Sequence, residues 1–366
     1  MRAAARVAQA RDLLAAQGLD AIIVRSTTDL QWLTGFEAVF DTEQAHTAVI
    51  TAADCIIHTD SRYSTAMRTA AAAEGLWTVD DEREGAAAFA ARVLDAAGLS
   101  CGNIAIDAAT PLNLYRAYTQ KLEGATFAER QGDILALRQV KEPAEVERMI
   151  AAQRVAEQAF LETVEGMRPG QTEAEVSLAL EFAMRKRGAQ ELAFANIVAS
   201  GPNSANPHAI PGSRQLQRGD LVVMDFGARV DGYRSDTTRT VSIGGPDAEQ
   251  QRIYDAVRLA NEEVERTIRA GVTGIEMHQL AEQVLADAGY PNLMGHGLGH
   301  GVGLDIHEEP CLNTRNAEPL PAGAIVTVEP GVYVPGQNGV RLEDCGQVTA
   351  DGYTNFNTLT HDLILV

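Results

Sequence analysis

The chain has 366 residues, enough for two domains that each bury a core. Fifty acidic residues against thirty basic ones leave a formal charge of −20, which repels phosphate backbones and argues against nucleic acid or anionic membrane as a partner. No apolar run reaches the roughly 18 residues of a membrane span, so a soluble protein is expected.

The first twenty residues spread Arg2, Arg6 and Arg11 along an alanine-rich stretch. This reads as an amphipathic helix with Val7, Leu13 and Leu14 on one face, unlike an export signal, and the expected location is the cytoplasm. The apolar runs at 21–24, 47–51, 55–60 and 103–107 read as strands, with helices at about 62–74 and 84–97. TDLQWLTGF (28–36) is the most distinctive patch of this α/β half, and Trp32 and Phe36 are expected in its core. A boundary is expected near 133–143, giving domains 1–135 and 136–366. Pro143 then opens a long helix at a position that tolerates proline, ending around Gly166 to Gly170. Thr172 with Glu175 forms a capping box for the next helix. Two further helices, about 247–269 and 272–288, interleave with Gly- and Pro-punctuated strands, an α+β pattern. Cys55, Cys101, Cys311 and Cys345 form no C-x-x-C pair and are expected to be reduced, mostly buried thiols.

Four segments of the second half put polar residues where strand patterns predict burial. In LVVMDFGARVDGYRSDTTRTV (221–241), Asp231-Gly232 signals a two-residue type I′ hairpin. That turn sets Val230 opposite Tyr233 and Asp225 opposite Thr238, with Asp236 on the face of Asp225 one diagonal step away. Two aspartates so placed repel unless a cation or open solvent compensates. In MGHGLGHGVGLDIHEEP (294–310), glycines alternate with His296, Leu298, His300 and Val302. If extended, the glycines form a bare face where backbone or substrate can approach, and His296 and His300 occupy the other. His296, His300 and His307 together are harder to read as core histidines than one alone. Glu329 interrupts the apolar run AIVTVEPGVYV (324–334), and Glu343 ends that of GVRLEDCGQVT (339–349). Such charges are almost never buried unpaired; each requires a metal or a salt bridge, with Arg341 the nearest cation in sequence. Two Asp, two Glu and one His form an oxygen-rich donor set suited to Mn²⁺, Co²⁺ or Zn²⁺, and four carboxylates balance two divalent ions.

With NPHAIPG (206–212), MDFGARVDGYRSDTTRT (224–240), GHGLGHGVGLDIHEEP (295–310), TVEPGVY (327–333) and GVRLEDCGQVT (339–349) in this order, the second half resembles the pita-bread metallopeptidases: methionine aminopeptidase, aminopeptidase P and prolidase. TDLQWLTGF more weakly resembles the creatinase-type N-terminal domain of the proline-directed members. The resemblance implies a creatinase-like α/β domain followed by an α+β pita-bread catalytic domain. It implies Asp225, Asp236, His300, Glu329 and Glu343 as ligands of two divalent ions, Mn²⁺ first, with Asp236 and Glu343 bridging. Glu329 doubles as general base. His208 and His307 contact substrate and steady the tetrahedral intermediate, while His296, Tyr333 and Arg341 line or brace the site. It further implies proline-containing peptides as substrates and a homodimer. His46, His58, His278 and His361 match nothing in the pattern and are expected to be structural or on the surface.

The expected activity is hydrolysis of Xaa-Pro bonds, by a dipeptidase (prolidase) or by an aminopeptidase P that accepts longer peptides. FEAVFDTEQAH (36–46) is a candidate wall at the far end of the substrate. A metal-free creatinase and a non-catalytic peptide-binding module of the same fold are the readings from other classes; both are expected to lack part of the ligand set, which is complete here.

Overall fold

The computed structural model describes residues 2–36, 39–41, 43–129 and 131–366. The chain divides into two compact units, Met1–Arg138 and Gln139–Val366.

The first unit is built on a six-stranded mixed sheet with spatial order Thr78–Asp80, Cys55–His58, Thr47–Thr51, Ala21–Val24, Asn103–Ile106, Thr126–Glu129. The AIIV run is buried throughout, as expected for a strand covered on both faces. Ile23, Val49, Phe89, Leu94, Ile104 and Tyr118 form the core on one side. The helix Thr27–Thr34 begins where Ser26 Oγ accepts from Asp29 N and ends at Gly35, whose φ of 66° only glycine adopts cheaply. Trp32 and Phe36 are both buried, the former beneath the Arg6 guanidinium at 4.9 Å. The pattern reading passed over the short strand Thr78–Asp80, the helix Leu112–Lys121 and the edge strand Thr126–Glu129. Of the segment expected to wall off the substrate, Glu37, Ala38 and Thr42 lie outside the described residues.

In the second unit, four helices begin at side-chain caps that satisfy their first amides. Pro143–Gly166 has Glu142 with Glu145, Glu173–Lys186 has Thr172 with Glu175, Ala248–Thr267 has Asp247 with Gln250, and Gly274–Asp287 has Thr273 with Glu276. They pack in two pairs against the sheets. The first pair packs Ala156, Phe160, Val176, Leu180 and Met184 on Val222, Met224 and Phe226 of a four-stranded sheet, with Phe160 and Phe226 stacked at 5.0 Å. The second pair covers Val332, Val340 and Leu342 with Ile253 and Val257, and Val326 and Val328 with Val264 and Ala281. The five-stranded sheet runs Glu308–Leu312, Gly299–Gly301, Ile325–Val328, Asp344–Val348, Tyr353–Asn355.

Because side chains alternate along a strand, a helix-facing Met224 and Phe226 turn Asp225 to the opposite face. Val230 pairs with Tyr233 and Asp225 with Thr238, as the hairpin count requires. Asp231 and Gly232 have φ of 48° and 84°, the two positive values of a type I′ turn. The Gly-rich stretch departs from the expected single strand. Only Gly299–Gly301 is extended, and His307 lies in the bend before Glu308–Leu312. The glycines do permit close approach there: a Cβ on Gly299 would lie 2.1 Å from Thr327 O, and one on Gly301 2.5 Å from Glu309 O. All four cysteines are free, but Cys101 is exposed rather than buried. Among the described residues no helix is long and apolar enough to cross a membrane.

Candidate metal centre

A cavity of about 490 Å³ opens in the second unit. Asp225, Asp236, His300, Glu329 and Glu343 all line it, as do His208, His296, His307 and Arg341. The sequence-predicted residues therefore meet in one place, although Asp225 and Glu343 are more than a hundred positions apart.

The backbone explains the convergence. Asp225 is the penultimate residue of the hairpin strand Leu221–Phe226, and Asp236 directly precedes its partner Thr237–Ser242. Glu329 follows Val328 and Glu343 precedes Asp344, and these two neighbours face each other in register. An isolated bridge between Thr238 and Glu343 ties the two sheets together at this point. A ligand atom each from Asp236, His300 and Glu343 lie within 4.8 Å of one another. His300 Nε2 sits 3.5 Å from Asp236 Oδ2 and 3.4 Å from Glu329 Oε1. Its Nδ1 lies 3.0 Å from the Gly301 carbonyl. A carbonyl can only accept, so Nδ1 carries the proton and Nε2 presents its lone pair to the acids.

The electrostatics of this cluster are unfavourable without a counter-charge. Burial, then Asp225 and Glu329, push the Asp236 carboxyl well above its ordinary range. Burial, followed by Asp236, Glu329 and Asp225, does the same to Glu343, and burial raises Glu329 to about 8. Burial also lifts Asp225, against the pull of Arg341. Burial lowers His300 and His296 to about 4, which keeps both imidazoles neutral. Asp225 Oδ1 is buried and accepts no hydrogen bond. Orphaned and mutually repelling oxygens beside a neutral imidazole form a donor set that fits hard divalent cations.

Arg341 does not pair with either glutamate as the nearest-cation reading anticipated. Its Nη2 donates to Asp225 Oδ2 at 2.6 Å, its Nη1 to Tyr333 Oη at 2.8 Å and Pro207 O at 3.3 Å, and its Nε to Thr238 Oγ1 at 3.0 Å. Tyr333 Oη in turn lies 2.9 Å from His296 Nε2, whose Nδ1 donates to Gly297 O at 2.7 Å. Tyr333 thus stands behind His296 and Arg341. His208 and His307 are exposed at the rim. The His307 ring meets that of His300 edge-on at 4.4 Å, and burial with the nearby His208 lowers its pKa.

Several contributors had no distinct sequence signal. Thr238 Oγ1 donates to Glu343 Oε2 at 2.7 Å, and Thr327 Oγ1 donates to Glu329 Oε1 at 3.3 Å while accepting from His300 N. Only Thr238, opposite Asp225 in the hairpin register, was within reach of sequence reasoning. Phe194, Ile197, Ile210 and Ile306 give the cavity apolar walls from three separate segments. Of the four histidines outside the pattern, His46, His58 and His278 are buried and His361 is partly buried. A second carboxylate–imidazole group, Glu265, Asp344 and His361, lies outside the cavity. There Asp344 already accepts from Arg239 at 2.7 Å and pairs with His361 at 2.8 Å, so its charge is balanced.

Comparison with known proteins identifies the family. The profile of the creatinase/prolidase N-terminal domain matches residues 6–140, and that of metallopeptidase family M24 matches residues 147–350. An uncharacterized peptidase of Bacillus subtilis, YqhT, is 33% identical over 351 residues, 96% of each chain. A solved Xaa-Pro dipeptidase from Bacillus anthracis superposes with a TM-score of 0.93 at 32% identity, covering both chains completely. A solved X-Pro aminopeptidase from Thermotoga maritima gives 0.87 at 32% identity, covering 99% of this chain and all of the other. The chain belongs to metallopeptidase family M24, with a creatinase/prolidase N-terminal domain ahead of the peptidase domain.

Proposed function

We propose that the protein hydrolyses the Xaa-Pro bond of dipeptides, using two divalent ions held by Asp225, Asp236, His300, Glu329 and Glu343. The observation that carries this reading is the convergence of four carboxylates and one neutral imidazole in a cavity of about 490 Å³. The dipeptide class follows from the likeness to the Bacillus anthracis Xaa-Pro dipeptidase. When bound, such ions act as Lewis acids that polarise a carbonyl and acidify water. Mn²⁺ is the expected ion, with Co²⁺ and Zn²⁺ as alternatives the same donors accept.

The chain's own groups divide the remaining work. Glu329 accepts the proton of the attacking water. His208 and His307, at the rim, hydrogen-bond the substrate carbonyl and the developing oxyanion, and either can deliver a proton to the departing proline nitrogen. Arg341 and Tyr333 hold Asp225 and His296 in place. A bond to proline carries no amide hydrogen, so a site that grips its substrate at the carbonyl and ring suits this substrate. Four free cysteines fit a reducing cytoplasm, and a homodimer is the expected assembly, checked by light scattering.

The second reading, an aminopeptidase P acting on longer peptides, is favoured by the likeness to the Thermotoga maritima enzyme. Turnover of Ala-Pro, Met-Pro and the tripeptide Ala-Pro-Ala, each with Mn²⁺, Co²⁺ and Zn²⁺, separates the two. Cleavage confined to the dipeptides supports the dipeptidase, and preferred cleavage of the tripeptide supports the aminopeptidase. A chain that turns over none of them with any ion contradicts both readings.

A further inference from the structure

One buried carboxylate outside the cavity is bonded to both ends of the loop that carries His208. Glu173 opens the helix Glu173–Lys186 and is 1% exposed. Its Oε1 accepts from Ser200 N at 2.8 Å, Ser200 Oγ at 2.7 Å and Asn203 Nδ2 at 3.1 Å. Its Oε2 accepts from Asn203 Nδ2 at 3.2 Å and from Gly212 N at 3.2 Å. Ser200 and Asn203 precede the loop and Gly212 follows it. Between them, Pro207, His208, Ala209, Ile210 and Pro211 line the cavity.

Three other bonds reach the loop or its base from outside: Arg341 Nη1 to Pro207 O at 3.3 Å, Gly339 N to Ser204 Oγ at 2.7 Å and Ala174 N to Gly212 O at 3.0 Å. The loop's internal bonds are Asn206 N to Asn203 O, Ala209 N to Asn206 O and His208 N to Asn206 Oδ1, at 2.9, 3.1 and 3.3 Å. Ile210 is 89% exposed, and the packing of the tip comes from Ala209 against Ile197 and Ala199. The nearby cation, Arg214, is committed to Asp220 by a two-pronged pair at 2.6 and 2.9 Å and reaches the cluster only through Ser200 Oγ. The charge of Glu173 is met by hydrogen-bond donors, by the positive end of its own helix and by the field of Arg214.

We infer that Glu173 is a positioning residue, which closes the base of the 204–211 loop and so fixes His208 over the cavity. It touches neither the five candidate ligands nor the cavity lining, and it acts through the histidine. The inference rests on the role proposed above for His208.

Glu173→Gln tests it with almost no change of shape. The carbamoyl oxygen can still serve Ser200, but the amide group sets a donor against the Gly212 N–H, opening the closing bond. Hydrogen exchange of the 206–212 amides is expected to quicken by about tenfold or more, with the amides of Glu175–Lys186 unchanged. On Ala-Pro, kcat is expected to fall by about tenfold at an unchanged Mn²⁺ affinity. In the His208→Ala background the same substitution is expected to add less than about twofold, because its target is already gone. Asn203→Ala, which removes one donor at the loop's entry, is expected to act in the same direction and serves if Glu173→Gln does not fold. Unchanged exchange at 206–212, faster exchange along the whole helix, or losses that multiply with His208→Ala each overturn the inference. A wild-type protein that cleaves no Xaa-Pro peptide defeats the proposed function instead, and the exchange comparison still decides whether Glu173 anchors the loop.

Discussion

Arg341 is placed where one guanidinium fork serves four acceptors at once: Asp225, Tyr333, Thr238 and Pro207. A lysine ammonium is a point charge on a longer flexible stem and cannot reproduce that planar arrangement. Arg341→Lys is therefore expected to lower kcat/KM on Ala-Pro by on the order of 100-fold, the cost of a small misplacement at a reacting centre, with the circular dichroism spectrum preserved. A change within twofold contradicts the bracing role. The residue types of the centre were legible in the sequence, but their partners were not. Arg341 lies two positions from Glu343 yet bonds Asp225 across 116 positions, because strand pairing rather than sequence distance decides which side chains meet.

Asp107 of the first unit shows the same physics without a metal. Its Oδ2 accepts from Arg25 N and Ser26 N, while Oδ1 is buried with no partner. Burial raises its pKa from 3.8 to about 6. The folded state thus holds the proton more tightly than the unfolded one. Its stabilising contribution is full below pH 3.8 and is lost as pH rises through about 6. The loss is on the order of 3 kcal/mol, at about 1.4 kcal/mol per pH unit. Asp107→Asn keeps the acceptor for both amides and cannot ionise. Urea titrations at pH 4 to 7 are expected to show a flatter pH dependence for the variant, and equal slopes contradict this account.

At the scale of elements, the hairpin was readable because its turn fixes its register. Asp231-Gly232 accepts two positive φ values, and with the alternation of 221–226 this dictates which face Asp225 takes. The Gly-rich segment was readable in purpose but not in shape. Its alternation signals close approach, yet a three-residue strand and a bend replace the long strand that alternation alone implies. The cavity walls were not readable, since Phe194, Ile197, Ile210 and Ile306 follow no shared period and sit on separate segments. Gly299→Ala places a methyl group 2.1 Å from Thr327 O, where backbone must move, and is expected to cost about 1–3 kcal/mol. Phe160→Ala removes a fully buried ring stacked on Phe226 and is expected to cost about 3–5 kcal/mol. Both are checked by chemical denaturation, and a loss below about 0.5 kcal/mol in either contradicts the packing described.

For the molecule as a whole, the order of a mixed-sheet unit before a unit of capped helix pairs on mostly antiparallel sheets followed from periodicity and capping residues. The short edge elements of the first unit escaped, being three or four residues long with little apolar content. The acidity of the chain does not locate the site. Folding concentrates part of that charge in one place, and cation binding relieves it, so stability and metal are linked. At a free ion concentration of 100 times Kd, one bound ion adds about 2.7 kcal/mol. Adding Mn²⁺ to chelator-treated protein is expected to raise Tm by several degrees, and Glu343→Gln to abolish most of that rise.

The most direct test of the central claim is an anomalous difference map from crystals grown with Mn²⁺. Two peaks in the cavity are expected, both in contact with Asp236 and Glu343, with Asp225 beside one and His300 beside the other. A map with no peak among these five side chains at saturating Mn²⁺, or with a lone ion that leaves Asp225 or His300 untouched, contradicts the account.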